Sequence, residues 1–132
     1  MECVEYDHDT GRILCQYTVS YDVYEYMKSQ GKYLIEGSAD PNKSYVDISV
    51  NPPAIAVRPA QSTTQDKAEI QANGVDFMTL ESLPVPCEVS VGDKNYAVDD
   101  GILEWGTLER GTYPILTKAF PYRDWEGTVN AT

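Results

Sequence analysis

Cys87-Glu-Val-Ser-Val-Gly-Asp-Lys-Asn-Tyr-Ala-Val98 and, a short way downstream, Glu109-Arg-Gly-Thr-Tyr-Pro-Ile-Leu-Thr-Lys-Ala119 decide how this chain folds. Each contains an apolar or β-branched run that starts or stops at a glycine turn, Gly92-Asp93 in the first and Arg110-Gly111 in the second. Working outward, runs of the same kind occur at Ala68–Ala72, Phe77–Leu80, Ile102–Trp105 and Thr128–Val129. Asn73-Gly74, Leu83-Pro84 and Asp100-Gly101 separate them. Short strands closed by turns every ~8–12 residues are the signature of a small antiparallel sandwich, here expected over residues 66–132.

Tyr113 sharpens that expectation. It follows Gly111-Thr112 and precedes Pro114-Ile115, the setting of the tyrosine corner that pins the last hairpin of many immunoglobulin-like domains. The expected fold of this half is therefore an Ig-like antiparallel β-sandwich. Trp105 is expected to pack in it, and Trp125, after Tyr122-Arg123-Asp124, to lie near the surface.

The first half reads differently. Ile13–Val19 fits a strand, and after Ser20-Tyr21-Asp22 the period changes to that of a short helix. Asp22 with Glu25 has the form of a capping box, Gly31 suits the position just past a helix C-terminus, and Lys28 sits well in the last turn. Val23, Tyr26, Met27 and Gln30 share one helical face, expected to pack, which leaves Tyr21, Tyr24 and Lys28 outward. Tyr33–Glu36 and Ser44–Val50 read as strands, so residues 1–50 form a small βαββ unit. Asn51-Pro-Pro-Ala-Ile-Ala-Val-Arg-Pro59 withholds ladder donors at its prolines and, with Gln61-Ser-Thr-Thr-Gln65, is expected to be a linker over residues 51–65. The chain is thus mostly β, with a unit at the N-terminus too small for a secure core of its own.

Composition limits the partners. The 132 residues carry 21 acids and 10 scattered bases, a formal net charge of −11. Phosphate backbones and anionic membranes both require clustered Lys and Arg, so nucleic acid and membrane are excluded as expected partners. Met1-Glu2-Cys3-Val4-Glu5 is acidic and no apolar run approaches 18 residues, which reads as neither signal peptide nor membrane span and points to synthesis in the cytoplasm. Cys3, Cys15 and Cys87 form an odd set without a CxxC spacing and are expected to be reduced.

Candidate chemistry is sparse. His8, the only histidine, lies between Asp7 and Asp9 near Cys3, yet zinc takes four ligands at recognisable spacing, and the segment reads as a solvated turn. Asp93, Asn95, Asp99 and Asp100 hold oxygen ligands without the register of an EF-hand loop and read as two hairpin turns. Neither a paired-carboxylate hydrolase nor a histidine-based nucleophile finds support. The sequence is therefore read as non-enzymatic, without metal or cofactor. Asn42 and Asn130 head glycosylation sequons that carry little weight without a secretory signal. The ten tyrosines are the compositional excess, gathered at Tyr17, Tyr21, Tyr24, Tyr26, Tyr33 and Tyr45, and tyrosine supplies stiff contact area with a polar tip. Tyr21, Tyr24 and Lys28 are the expected partner-binding residues, and Tyr122 and Trp125 the residues that would stack on a glycan.

Gly11-Arg-Ile-Leu14, Glu36-Gly-Ser-Ala-Asp40, Ser44-Tyr-Val-Asp47, Lys67-Ala-Glu-Ile-Gln-Ala-Asn-Gly74, Leu83-Pro-Val-Pro-Cys87 and Gly111-Thr-Tyr-Pro-Ile115 with Phe120-Pro-Tyr122 together resemble the small tail-associated proteins of tailed bacteriophages. The resemblance spans nearly the whole chain as a pattern and not as a signature. It implies a virion component of the tail, tail fibre or baseplate, oligomeric within an assembly, with an N-terminal docking unit and other tail or fibre proteins as partners. Two alternatives within it are an Ig-like module that binds a host surface glycan and a tail-fibre assembly chaperone. It implies no catalytic residue.

Overall fold

The computed structural model describes residues 1–132, which are mostly β and divide into two compact units, Met1–Arg58 and Pro59–Thr132.

In the first unit, β1 (Glu2–Tyr6) is the centre of a three-stranded antiparallel sheet, flanked by β2 (Ile13–Thr18) and β3 (Leu34–Glu36). β1 carries no apolar–polar alternation in the sequence. Cys3 and Val4 are both fully buried, and since successive strand residues point to opposite faces, both faces of β1 are covered. On the Cys3 side lies α1 (Tyr21–Ser29), which contributes Tyr24 to a cluster with Cys3 and Leu34, bordered by Tyr17, Val19 and Met27. β4 (Ser44–Asp47) and β5 (Ala54–Val57) pair as a separate antiparallel hairpin. The β1–β2 turn depends on Gly11: its φ is +84°, and a Cβ there would stand 2.0 Å from the Val46 carbonyl oxygen, whose own residue donates its N–H to the Gly11 carbonyl at 2.8 Å.

Three expectations need correction in this unit. Ser20, not Asp22, caps α1, its Oγ accepting from the Val23 N–H at 3.3 Å, so Asp22 falls in the first turn, where its charge still suits the helix dipole. Gly31 does stand just past the end, at φ +89°. The packed face is also different: Tyr24 is 9% exposed, whereas Val23 and Tyr26 are 44% and 64% exposed. Met27 lies on both the expected stripe and the observed one, and a nine-residue helix is too short for periodicity to choose between overlapping stripes. The sheet beneath, offering Cys3 and Leu34, made the choice. Finally, the stretch expected as a linker contains β5, because Pro52, Pro53 and Pro59 bracket the Ala-Ile-Ala-Val segment without interrupting it, and a two-stranded hairpin tolerates prolines at its margins.

In the second unit, two sheets close on one core. One has the order β10 (Lys94–Val98), β9 (Cys87–Val91), β12 (Gly111–Lys118), β13 (Trp125–Ala131) and β7 (Glu69–Ile70), the last parallel to β13 and the rest antiparallel. The other has the order β11 (Leu103–Trp105), β8 (Met78–Glu81) and β6 (Thr64–Gln65). Every run expected as a strand between Ala68 and Val129 overlaps one of these. Met78 and Leu80 face Val89, Val91, Ile115 and Val129 across the core, all at most 2% exposed. Trp105 packs edge-on against Tyr113 at 4.8 Å between ring centroids. Near the start of this unit, in the stretch expected as a linker, Gln61 is a structural residue. Its Oε1 accepts from the hydroxyls of Thr63 and buried Thr117, at 2.9 and 2.7 Å, and its Nε2 donates to the Thr117 and Arg123 carbonyls. That satisfies the Thr117 hydroxyl, which would otherwise be costly to bury.

Candidate functional site

At 100° of rotation per residue, the buried stripe of Tyr24 and Met27 leaves Tyr21 and Tyr26 on the two flanks of the outward face of α1, with Asp22 and Glu25 between them. Tyr21 is 66% exposed and Tyr26 64%. Tyr21 is therefore where the sequence expected it. Tyr24 is not: its ring lies beneath the helix, 6.4 Å from that of Tyr21, and burial together with nearby acidic groups holds its hydroxyl above the ordinary tyrosine pKa. Lys28 is exposed but occupied, its ammonium standing 5.3 Å from the centroid of the Tyr24 ring, a cation–π contact that ties it to the core aromatic. Val23 and Tyr26, expected to pack, belong instead to the open surface.

Behind the helix, Tyr17 on β2 donates its hydroxyl to Glu5 Oε1 at 2.8 Å, and Lys32 Nζ stands 3.4 Å from the same oxygen. The Glu5 hydrogen bond is the first cause of a Tyr17 pKa raised to about 12. This triad crosses from β2 to β1 and to the loop before β3, so it braces the sheet under α1.

The acid clusters read as structural. Asp7 Oδ1 accepts from the Asp9 N–H at 2.8 Å and so shapes the β1–β2 turn. His8 sits 3.2 Å from Asp9 and stacks on Tyr33 at 4.5 Å between centroids. Ligand atoms of Asp7, His8 and Asp9 lie within 4.8 Å of one another, but His8 and Asp9 are exposed and the Asp7 carboxylate already serves the turn. Asp93 stands at one end of β10 and Asp99 and Asp100 beyond the other. At a strand rise of ~3.3 Å per residue the two groups are separated by roughly 20 Å, too far to share an ion. Asn95 is engaged by the Ser90 hydroxyl at 2.6 Å, and Asp100 accepts from the Ile102 N–H.

Of the two residues expected to stack on a glycan, Tyr122 is the more open. Tyr122 is 36% exposed. Trp125 is half-buried, packs against the core, and lies over Gly127, where a Cβ would stand 2.7 Å from the indole edge. Elsewhere on this unit β9, β10 and β12 form an open groove of about 480 Å³ lined by Glu88, Ser90, Asn95, Tyr96, Ala97, Leu116 and Lys118. Cys3 and Cys87 are buried and Cys15 exposed, all three as free thiols, and burial raises the pKa of the first two. No helix is long and apolar enough to cross a membrane.

Comparison with family models, curated proteins and solved structures finds no match to this chain.

Proposed function

We propose that this chain is a non-enzymatic structural or adaptor component of a bacteriophage tail, tail fibre or baseplate, acting through protein–protein contacts in the virion. The observation that carries the contact reading is the outward face of α1, where Tyr21 and Tyr26 stand open on either side of Asp22 and Glu25. Exposed aromatic rings of this kind supply most of the binding energy where they reach the buried centre of an interface, and the acids between them favour a partner that brings basic groups. The phage assignment itself rests on the resemblance in sequence.

The second unit enters the proposal as an immunoglobulin-like sandwich. Its strand order supports that reading: β11-β8-β6 against β10-β9-β12-β13, with β7 closing parallel to β13. So does Tyr113, near the start of β12, whose hydroxyl donates to the Glu109 carbonyl at 2.9 Å four residues upstream, the bond that defines a tyrosine corner. Such a module holds loops and sheet faces rigidly for contact with another molecule.

Replacing Tyr21 and Tyr26 together by alanine is expected to remove the protein from purified particles of the phage that encodes it, while the isolated chain keeps its melting temperature. Incorporation of the double variant at wild-type occupancy would place the contact surface elsewhere.

A further inference from the structure

The two outer faces of the second unit's sandwich differ. Strand residues alternate between faces, and with Met78, Leu80 and Trp105 in the core, Phe77, Thr79, Glu81, Ile102 and Glu104 fall on the outside of the short sheet β11-β8-β6. Phe77 is 44% and Ile102 50% exposed. Glu81 and Glu104 are exposed too, and neither is held in an ion pair. The Phe77 ring lies over Gly106, where a Cβ would stand 2.8 Å from it. At that end the Gly74 N–H donates to the Thr107 carbonyl at 3.1 Å, and the two loops it joins add exposed Val75 and Leu108. Thr64 and Asp66 complete the outward face, which therefore holds no lysine or arginine. On the outside of the larger sheet Lys118 stands opposite Glu88, and no strand residue is a large exposed hydrophobic.

We propose that the outer face of β11-β8-β6 is a docking surface, and that its occupant is an extended protein segment that sets a lysine or arginine between two apolar side chains. Apolar side chains left open together on one face mark a contact site, and the carboxylates select what meets it. Glu104 is opposite Thr79, so Glu81 is its diagonal neighbour, roughly 7 Å away, and one cation between them offsets two like charges. Spacing points the same way. One step beyond the ladder Phe77 meets Gly106, four residues along from Ile102, which puts the two apolar sites about 13 Å apart with Glu104 midway. That is the span from residue i to i+4 of a strand, whose middle outward residue then faces Glu104.

Other occupants fit less well. An anionic lipid surface is repelled by these acids, and a second copy would bring the same carboxylates to the same face. The surface lies within the second unit, so this inference depends neither on α1 nor on the phage reading.

The isotope-labelled full chain is titrated with a cyclic β-hairpin peptide that displays Ile-x-Lys-x-Ile on one face, and with its counterpart carrying glutamate in place of lysine, while amide shifts are followed by NMR. The lysine peptide is expected to give saturable shifts at Phe77, Thr79, Ile102 and Glu104, and the glutamate peptide none. Glu81→Gln combined with Glu104→Gln should weaken binding by about fivefold or more, whereas Glu88→Gln combined with Glu126→Gln, the same change of charge on the larger sheet, should leave it within about twofold. Phe77→Ser should weaken binding as much as the first pair. Circular dichroism checks its fold, and Ile102→Ser provides the second variant if Phe77→Ser is unfolded. The proposal is overturned by the absence of saturable shifts, by shifts centred on Tyr21 and Tyr26, by equal binding of the two peptides, or by equal losses in the two glutamine double variants.

Discussion

Tyr24 shows how much one side chain decides. On the outward face it would be a dispensable contact residue, but it is the helix's one buried side chain, so Tyr24→Ala should cost about 3–5 kcal/mol, as for other large aromatic truncations in cores. Tyr21→Ala should change stability by less than ~0.5 kcal/mol. Urea melts followed by far-UV circular dichroism separate the two, and equal effects would contradict the packing of α1. Gly11 is a second single-residue dependence: alanine there combines a left-handed φ with a Cβ 2.0 Å from the Val46 carbonyl oxygen. Gly11→Ala is expected to destabilise the first unit by at least ~1–2 kcal/mol, read in the same melts. Neither effect is legible in the sequence, because a tyrosine on a short helix and a glycine in a turn look alike whether or not something stands against them.

Among the elements, the hairpin β12–β13 holds the second unit together, pairing with β9 on one side and β7 on the other. Its entry is fixed by the bond from Tyr113 to Glu109, so Tyr113→Phe, which keeps the packing on Trp105 and loses only the hydroxyl, should cost about 0.5–1.5 kcal/mol in a denaturant melt. A null result would mean that the ring, not the bond, pins the corner. These strands were readable in advance because each combines β-branched or aromatic residues with a glycine or proline stop, and the signal is local. β1 and β5 were not. β1 is buried on both faces and therefore does not alternate, and β5 is a strand only because β4 lies beside it.

For the whole molecule, charge governs the response to pH. Asp76 accepts from the Gln71 N–H and pairs with Lys67 at 3.0 Å, which holds its pKa below the ordinary 3.8. A lowered carboxyl pKa stabilises the fold fully above that ordinary value, and the contribution is lost as pH falls through the folded value. Tyr17 has the opposite sign: raised from 10.0 to about 12, it stabilises fully below pH 10 and loses that contribution as pH climbs toward 12. Melting temperatures should therefore fall at both extremes, with Asp76→Asn removing part of the acid slope and Tyr17→Phe part of the alkaline one. Unchanged slopes in the variants would mean that other groups carry them. Because the contacts of the second unit's core lie within Pro59–Thr132, that segment expressed alone should melt cooperatively, and a coil-like spectrum would show that it needs the rest of the chain.

What the sequence determined by itself is whatever depends on neighbours a few residues away: the β-rich class, the strands and turns between Ala68 and Val129, and the glycine that ends α1. What only the tertiary structure decided depends on residues brought together from afar. The stripe of α1 that packs was chosen by Cys3 and Leu34, the expected linker became β5 because β4 supplied its partner, and Gln61 left the linker to satisfy Thr117, 56 residues away. Periodicity states that a face is apolar; which face is covered is settled by the surface that meets it.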